Sequence, residues 1–236
     1  MHWNQIVSKV SPYIVKIETP TGSGTGFLCF YNEDKTLCGV ATALHVVNHA
    51  DEWQQPIKII HHQSGKIGFL KESDRIIFPN RKADSAVVLF QKGNLPFPEE
   101  PIPLLPIENP ISIGVEVGWL GFPAMEPFTL CFFSGSISAR KEDSKAYLID
   151  GVAINGVSGG PVLYSTGTEG VQIVGTISAY WANRLRGEAL PGISIAQDVS
   201  PFHKVIQHLR SIEEGQKKKQ EQSEPKAQEK NGTDNC

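Results

Sequence analysis

Apolar residues in this chain fall mainly in short runs separated by clusters of Gly, Pro, Asn, Asp and Ser. Such runs, when rich in β-branched and aromatic residues, are typical of β-strands joined by tight turns. The pattern therefore predicts an all-β protein. The predicted strands cover residues 13–18, 26–31, 35–43, 57–62, 66–70, 75–78, 85–90, 115–122, 129–138, 146–150, 161–164, 171–179 and 192–196.

The two ends of this pattern show helical spacing instead. A short N-terminal helix is predicted because Trp3, Ile6, Val7 and Val10 recur on one face and Ser11-Pro12 then interrupts the pattern. A closing helix is predicted to start at Ser200-Pro201, where an N-cap residue precedes a proline at the first helical position. It carries one apolar stripe, formed by Phe202, Val205, Ile206, Leu209 and Ile212.

A proline-rich segment divides the chain into two β halves. Residues 93–110 contain six prolines, which cannot donate to the ladder of a central strand. We therefore expect an N-terminal unit with its leading helix (1–92), an extended linker (93–110), and a C-terminal unit with the closing helix (111–214). Residues 215–236 carry almost no apolar side chains, so a disordered tail is predicted.

Composition and charge exclude several functional classes. The 236-residue chain has a formal net charge of −3, without the basic excess typical of proteins that bind nucleic acid through its phosphates. It has neither an apolar stretch of membrane-spanning length nor a recognisable signal peptide. Its four scattered cysteines suit free thiols in a reducing cytoplasm, and no cluster has the spacing of a metal site. We therefore expect no membrane, nucleic-acid or metal partner, and no cofactor.

Three segments carry candidate chemistry, and their order is informative. A histidine ends the β-rich run 41–47, an aspartate precedes the apolar strand 85–90, and a serine lies in a glycine turn at 155–163. Each feature alone is ordinary, since such residues also occur as surface groups and turn formers. Together they predict a catalytic triad of His45, Asp84 and Ser158.

The proposed triad has a simple chemical basis. A serine hydroxyl needs a neighbouring base, histidine can take and return a proton near neutral pH, and an aspartate can fix the histidine tautomer. The reaction also needs N–H donors positioned for the oxyanion, and the backbone groups of Gly156 and Ser158 are candidates.

The same motifs resemble those of chymotrypsin-like (trypsin-fold) serine proteases, and in particular the high-temperature-requirement or Deg-type branch. The resemblance runs from about Ile6 to Leu209. It rests on residues 22–27, 42–47, 84–89, 118–123, 154–161 and 191–196. It implies two six-stranded antiparallel β-barrels packed face to face, with His45 and Asp84 from the first and Ser158 from the second. It implies a polypeptide substrate and leaves room for a regulatory partner protein.

The chain also departs from its relatives. No segment resembles the PDZ domain of many Deg-type proteases. The residue before the proposed nucleophile is Val157, whereas digestive proteases have an aspartate there that pairs with a newly formed N-terminus. What orders the nucleophile loop is therefore an open question for the structure.

The resemblance further places Val152 at the base of the pocket for the residue before the scissile bond. The walls would be Ser178, Ala179, Tyr180 and Gly192. Without an acidic residue at the base, a small or medium apolar side chain is expected in this pocket. Alternatively, Val152 and Tyr180 belong to the barrel packing.

Two other functions are compatible with parts of the sequence. The first is a catalytically silent trypsin-fold module that binds peptides, because a fold does not determine a function. The second is a serine esterase, since residues 156–160 fit the G-x-S-x-G pattern. In that class a helix follows the serine and the histidine comes later in the chain. The order His45, Asp84, Ser158 therefore opposes it.

Overall fold

The computed structural model describes residues 2–167, 170–185 and 188–223, with side chains except at 179–191 and 221–223. Two antiparallel β units follow one another along the chain. The elements are α1 (Trp3–Val10), a 3-10 turn (Ser11–Tyr13), β1 (Ile14–Thr19), β2 (Gly22–Tyr31), β3 (Leu37–Ala43), α2 (Leu44–Glu52), β4 (Ile57–His61), β5 (Ile67–Leu70), a 3-10 turn (Glu72–Asp74), β6 (Arg75–Asn80), β7 (Ser85–Gln91), β8 (Glu116–Gly121), β9 (Cys131–Lys141), β10 (Ala146–Asp150), β11 (Pro161–Ser165), β12 (Val171–Leu185), β13 (Glu188–Asp198) and α3 (Ser200–Ser223).

The first unit is an open sheet of seven strands in the order β5-β4-β1-β2-β3-β7-β6. The expected closed six-stranded barrel is not formed there, because the two edge strands β5 and β6 do not pair with each other. The second unit is a closed six-stranded barrel in the order β10-β13-β12-β11-β8-β9, as expected. The predicted all-β, two-unit fold is therefore confirmed, with one of its two barrels left open.

One apolar core joins the two units. Phe27 and Val87 from the first sheet belong to the same buried cluster as Trp119 and Val162 from the second barrel. Burial of each large apolar side chain contributes about 1.5–3 kcal/mol, so the shared core resists separation of the units.

The helix α1 is confirmed where the sequence predicts it, but it packs on the second unit. The Trp3 ring lies 5.2 Å from that of Phe132, and its indole N–H donates to Glu116 Oε1 at 2.9 Å. Ile6 and Val10 are fully buried in the shared core. The leading helix therefore packs on the C-terminal barrel through Trp3 and on the core shared by both units through Ile6 and Val10.

The helix α3, expected to belong to the C-terminal unit, lies against the first sheet and the proline-rich segment, and it is longer than the sequence predicts. The Phe202 ring stands edge-on to Phe27 at 6.0 Å, and His203 Nε2 bonds the carbonyl oxygen of Leu105 at 2.9 Å. The helix continues to Ser223, into the segment predicted as a disordered tail. There Glu33 N–H donates to Glu213 Oε1 at 3.0 Å, and Lys217 pairs with Glu33. Residues 224–236 lie outside the described residues.

The proline-rich segment is extended and packs closely on both units. Leu105 N–H donates to the Ile173 carbonyl at 2.8 Å, and Ile173 N–H donates to Pro103 at 2.9 Å. Leu95, Phe97 and Ile102 are buried. The linker is thus part of the folded body. No helix in the described part of the chain is long and apolar enough to cross a bilayer.

Candidate active site

His45 lies in the first turn of α2, directly after β3. The strand pattern at 35–43 predicted β3, but the helix that follows it was not anticipated. Two backbone N–H groups fix the start of α2. Leu44 N–H donates to the Asp84 carbonyl at 3.0 Å, and His45 N–H donates to the Asp84 side-chain atom Oδ1 at 3.0 Å. The imidazole is half exposed and faces solvent, so it remains open to a substrate.

Asp84 is bonded to the histidine in the geometry that a triad requires. It occupies the turn between β6 and β7 with φ +41°, a conformation that aspartate adopts more readily than most residues. Its Oδ2 lies 2.8 Å from His45 Nδ1 and accepts a bond from the Ser178 hydroxyl at 2.5 Å. The carboxylate therefore holds both the ring and the backbone of His45.

The charge of Asp84 is stabilised by these contacts. Burial alone would raise the pKa of its carboxyl group. Hydrogen bonds from His45 and Ser178, together with the charge of His45, outweigh that effect and hold the pKa below its usual value. Asp84 is therefore ionised at neutral pH and can stabilise a protonated imidazole.

The nucleophile loop, residues 154–160, connects β10 to β11 and packs against the His45 segment. Gly159 has φ +86°, and a Cβ there would lie 2.0 Å from the Thr25 carbonyl oxygen and 3.0 Å from Ala43 N. A Cβ on Gly24 would lie 3.0 Å from the Ser158 carbonyl oxygen and 2.5 Å from Val46. Glycine at these positions therefore lets Ser158 approach the first turn of α2.

Every carbonyl from Ile154 to Ser158 accepts a hydrogen bond. The donors are Val157 N–H to Ile154 (3.1 Å), Ala124 N–H to Asn155 (2.6 Å), the Thr25 hydroxyl to Gly156 (3.0 Å), Gly160 N–H to Val157 (2.9 Å) and Thr25 N–H to Ser158 (2.8 Å). A loop whose carbonyls are all engaged has its peptide planes fixed before any substrate arrives.

Four N–H groups of this loop have no acceptor in the described part of the chain: those of Ile154 and Asn155 at its start, and those of Gly156 and Ser158 on either side of Val157. The N–H groups of Val157, Gly159 and Gly160 are bonded to carbonyls of the protein. Because N–H and C=O point in opposite directions across a trans peptide, the bond from Ala124 to the Asn155 carbonyl turns the Gly156 N–H away from residue 124. The N–H groups of Gly156 and Ser158 are the two donors that the sequence predicts for an oxyanion hole.

The Ser158 hydroxyl forms no hydrogen bond with His45 among the described residues. Catalytic hydrogen bonds are commonly long in ligand-free structures and shorten when a substrate binds.

The predicted pocket residues are placed unequally. Val152 is 45% exposed, and its neighbour Gly151 bridges to Ile193, the residue after the half-buried Gly192. The Ser178 side chain, expected to form a pocket wall, is nearly buried and bonds Asp84 instead. The side chains of Ala179 and Tyr180 lie outside the described residues.

Two contributors to the site were missed at the level of sequence. In the sequence Thr25 is only one residue of the 22–27 motif, and Ala124 acts through its backbone N–H, which every residue except proline possesses. In the described ranges, no three His, Cys, Asp or Glu side chains lie close enough together to hold a metal ion.

Comparison with solved structures shows the same fold in several proteases. The chain is 23% identical to the serine endoprotease from Yersinia pestis, with a TM-score of 0.63, over 89% of this chain and 66% of that one. It is 19% identical to Deg5 (TM-score 0.63; 85% and 90% covered) and 19% identical to the inactive form of the Rv3671c protease of M. tuberculosis (TM-score 0.62; 87% and 93% covered).

The sequence comparisons are more specific. No curated protein sequence matches the chain significantly. The profile of the trypsin-like peptidase domain matches residues 24–170, which is more than half of the chain and includes His45, Asp84 and Ser158. The chain therefore belongs to the family of trypsin-like peptidase domains.

Proposed function

We propose that the protein is a serine endopeptidase that acts through Ser158, His45 and Asp84. The observation that carries the proposal is the combination of an Asp84–His45 pair with a nucleophile loop whose Gly156 and Ser158 N–H groups have no acceptor. A peptide-binding module that does no chemistry has no need for two unpaired donors beside a serine.

The proposed reaction begins with attack of Ser158 Oγ on the substrate carbonyl carbon. His45 Nε2 takes the hydroxyl proton as the new C–O bond forms, and Asp84 stabilises the resulting imidazolium through Nδ1. The carbonyl oxygen becomes an oxyanion and accepts bonds from the N–H groups of Gly156 and Ser158.

The tetrahedral intermediate then breaks the C–N bond. His45 gives its proton to the departing amine, and an acyl-enzyme on Ser158 remains. Water, deprotonated by His45, attacks this ester, and collapse of the second intermediate returns the proton to Ser158 and releases the acid. This cycle uses no cofactor.

Labelling with a fluorophosphonate probe tests the proposed nucleophile. The wild-type protein should react, and Ser158→Ala should neither react nor cleave peptides, with kcat reduced by about 10⁴–10⁶. Ser112→Ala, which removes an exposed serine hydroxyl elsewhere, serves as the matched control and should label normally. A folded wild-type protein that neither labels nor cleaves would instead indicate a silent binding module.

We further propose that cleavage follows small or medium apolar residues, with Val152 at the base of the pocket. The exposure of Val152, the bridge from its neighbour Gly151 to Ile193, and the absence of an acidic side chain at 152 support this preference. A substrate arginine or lysine would find no partner at that point.

The variant Val152→Asp tests the pocket. A carboxylate there should shift the preference toward basic residues by roughly tenfold relative to wild type, equivalent to about 1.4 kcal/mol. Val152→Asn has nearly the same shape without the charge and should not produce this shift. Both variants and the wild type are profiled on one peptide library. An active Val152→Asp enzyme with the wild-type preference would remove Val152 from the pocket.

We also propose that the protein works in a reducing compartment such as the cytoplasm. Cys29, Cys38 and Cys131 are free thiols, and burial raises the pKa of Cys38 to about 12, so a reactive thiolate is scarce there. Cell fractionation with immunoblotting should find the protein with cytoplasmic markers, and recovery in an oxidising compartment would contradict the proposal.

A further inference from the structure

We propose that Thr25, a residue of the first sheet, orders the nucleophile loop of the second barrel and thereby positions the oxyanion donors. Thr25 is a positioning residue in this proposal, since it acts through Gly156 and Ser158. The inference rests on the proposed peptidase function. It explains how the nucleophile loop can be ordered in a chain that has Val157 where digestive proteases have an aspartate.

Val157 anchors the loop without a charge. Its side chain is fully buried against the strand that ends at Gly121, where an added Cβ would lie 2.6 Å from Val157 Cγ1. An apolar contact of this kind holds the loop in place, but it is not directional and cannot select the orientation of peptide groups. The polar groups of the loop need partners of their own.

Thr25 supplies two of those partners. Its hydroxyl donates to the Gly156 carbonyl at 3.0 Å and accepts from Phe122 N–H at 3.0 Å, while its own N–H donates to the Ser158 carbonyl at 2.8 Å. The residue is completely buried, and the Thr42 hydroxyl donates to its carbonyl at 2.7 Å. The hydroxyl proton must point to Gly156, because Phe122 N–H occupies the acceptor side.

These bonds fix the peptide planes on both sides of each oxyanion donor. The plane before Gly156 is held by Ala124, and the plane after it by the Thr25 hydroxyl. The plane before Ser158 is held by Gly160, and the plane after it by Thr25 N–H. With both flanking planes held, neither N–H can rotate away without breaking a hydrogen bond.

The Thr25 hydroxyl is the side-chain group that reaches these carbonyls in the described part of the loop; the other donors are backbone groups. It also links the loop to Phe122, which begins the segment that carries Ala124. One hydroxyl thus couples the two sides of the Gly156 peptide. Removal of the hydroxyl leaves the partly buried Gly156 carbonyl and the buried Phe122 N–H without partners, which favours reorientation of the loop.

The test compares Thr25→Val, which keeps the shape but lacks the hydroxyl, with Thr25→Ser, which keeps the hydroxyl. Removal of a single oxyanion donor lowers kcat by about 10²–10³. Loss of the Thr25 hydroxyl would only displace the Gly156 donor, so kcat should fall by about 10- to 100-fold. We expect kcat and kcat/KM to fall together in Thr25→Val while KM changes little. The affinity for a peptide aldehyde, which forms a tetrahedral adduct, should fall by the same factor. Thr25→Ser should restore most of both.

Thr176→Val is the matched control. Thr176 is a buried threonine on β12 whose hydroxyl has no hydrogen-bond partner, so its loss should leave kcat unchanged. All rates are measured well below the melting temperature of each variant. If Thr25→Val does not fold, Thr25→Ala replaces it, since a smaller side chain cannot overpack the site.

Several results would overturn the inference. An active Thr25→Val with wild-type kcat and aldehyde affinity would do so, even if its melting temperature fell, and so would a Thr25→Ser variant as impaired as Thr25→Val. Failure of the wild-type protein to react with the fluorophosphonate would instead count against the proposed function. The two failures are therefore distinguishable.

Discussion

The two halves of the candidate site are held by different kinds of bond. The acid–base half, His45 and Asp84, is fixed mainly through the Asp84 carboxylate, which bonds the His45 ring, the His45 backbone and the Ser178 hydroxyl. The nucleophile half is fixed mainly by main-chain groups, with the Thr25 hydroxyl as the side-chain exception. The first half comes from an open sheet and the second from a closed barrel.

This difference indicates how each half can be disrupted. A single side-chain substitution, or a change of pH, acts directly on the half that depends on a carboxylate. The half built from backbone groups is sensitive instead to substitution of its glycines, because an added Cβ displaces the peptide groups themselves. The predictions below test this contrast in order of expected effect.

The largest effect is expected from Asp84→Asn. Asparagine tolerates the positive φ of this turn, so the fold should survive, but its NH₂ group cannot accept the proton of His45 Nδ1. The histidine would then be held in the wrong tautomer, and kcat should fall by roughly 10⁴. Steady-state kinetics on one peptide substrate measures the loss, with the exposed Asp143→Asn as control. An unchanged rate would show that another group orients His45.

Gly159→Ala should damage the nucleophile half through the backbone. The new Cβ would lie 2.0 Å from the Thr25 carbonyl oxygen and 2.2 Å from the Thr42 hydroxyl, at φ +86°. Strain and overpacking each cost about 1–3 kcal/mol, so the free energy of unfolding should fall by about 2–6 kcal/mol. Urea denaturation tests this. Gly22→Ala is the control: no atom lies within 4 Å of the added Cβ, so the free energy of unfolding should not change. Equal stability of the two variants would show that the nucleophile half is not sensitive to an added Cβ at residue 159.

Ser178→Ala should have the smallest effect and should depend on pH. It removes the hydroxyl bond to Asp84, which is worth about 1.5–3 kcal/mol for a charged acceptor. Because this bond helps to keep the pKa of Asp84 below its usual value, its stabilising effect is complete above the unfolded-state pKa of about 4 and is lost as the pH falls through the folded-state pKa.

The stability difference between wild type and Ser178→Ala should therefore be largest at neutral pH and shrink in acid, as measured by denaturant unfolding at several pH values. The kcat of the variant should stay well above that of Asp84→Asn, because the bond from Asp84 to His45 Nδ1 remains. A difference that grew in acid would contradict the assigned role of Ser178.

Much of the fold followed from local pattern. The strand segments were recognisable because β-branched and aromatic runs alternate with turn residues, and both terminal helices because their apolar residues share one face. The open first sheet was not recognisable, because the period of a strand does not encode which strands it pairs with: β5 and β6 are consecutive in the chain and yet lie at opposite edges of the sheet. The length of α3 was underestimated because its last turns are polar, and Lys217 there contacts Glu33, 184 residues away along the chain.

By itself, the sequence determined the identity and order of His45, Asp84 and Ser158 and the glycines around the serine, because these side chains and conformations have few substitutes. The tertiary structure alone decided which groups hold them: Thr25 and Ala124 on the nucleophile loop, and Ser178 on Asp84. The physical reason is that a backbone N–H or a threonine hydroxyl is chemically common along any chain. Only its placement by the packed units makes it part of the site.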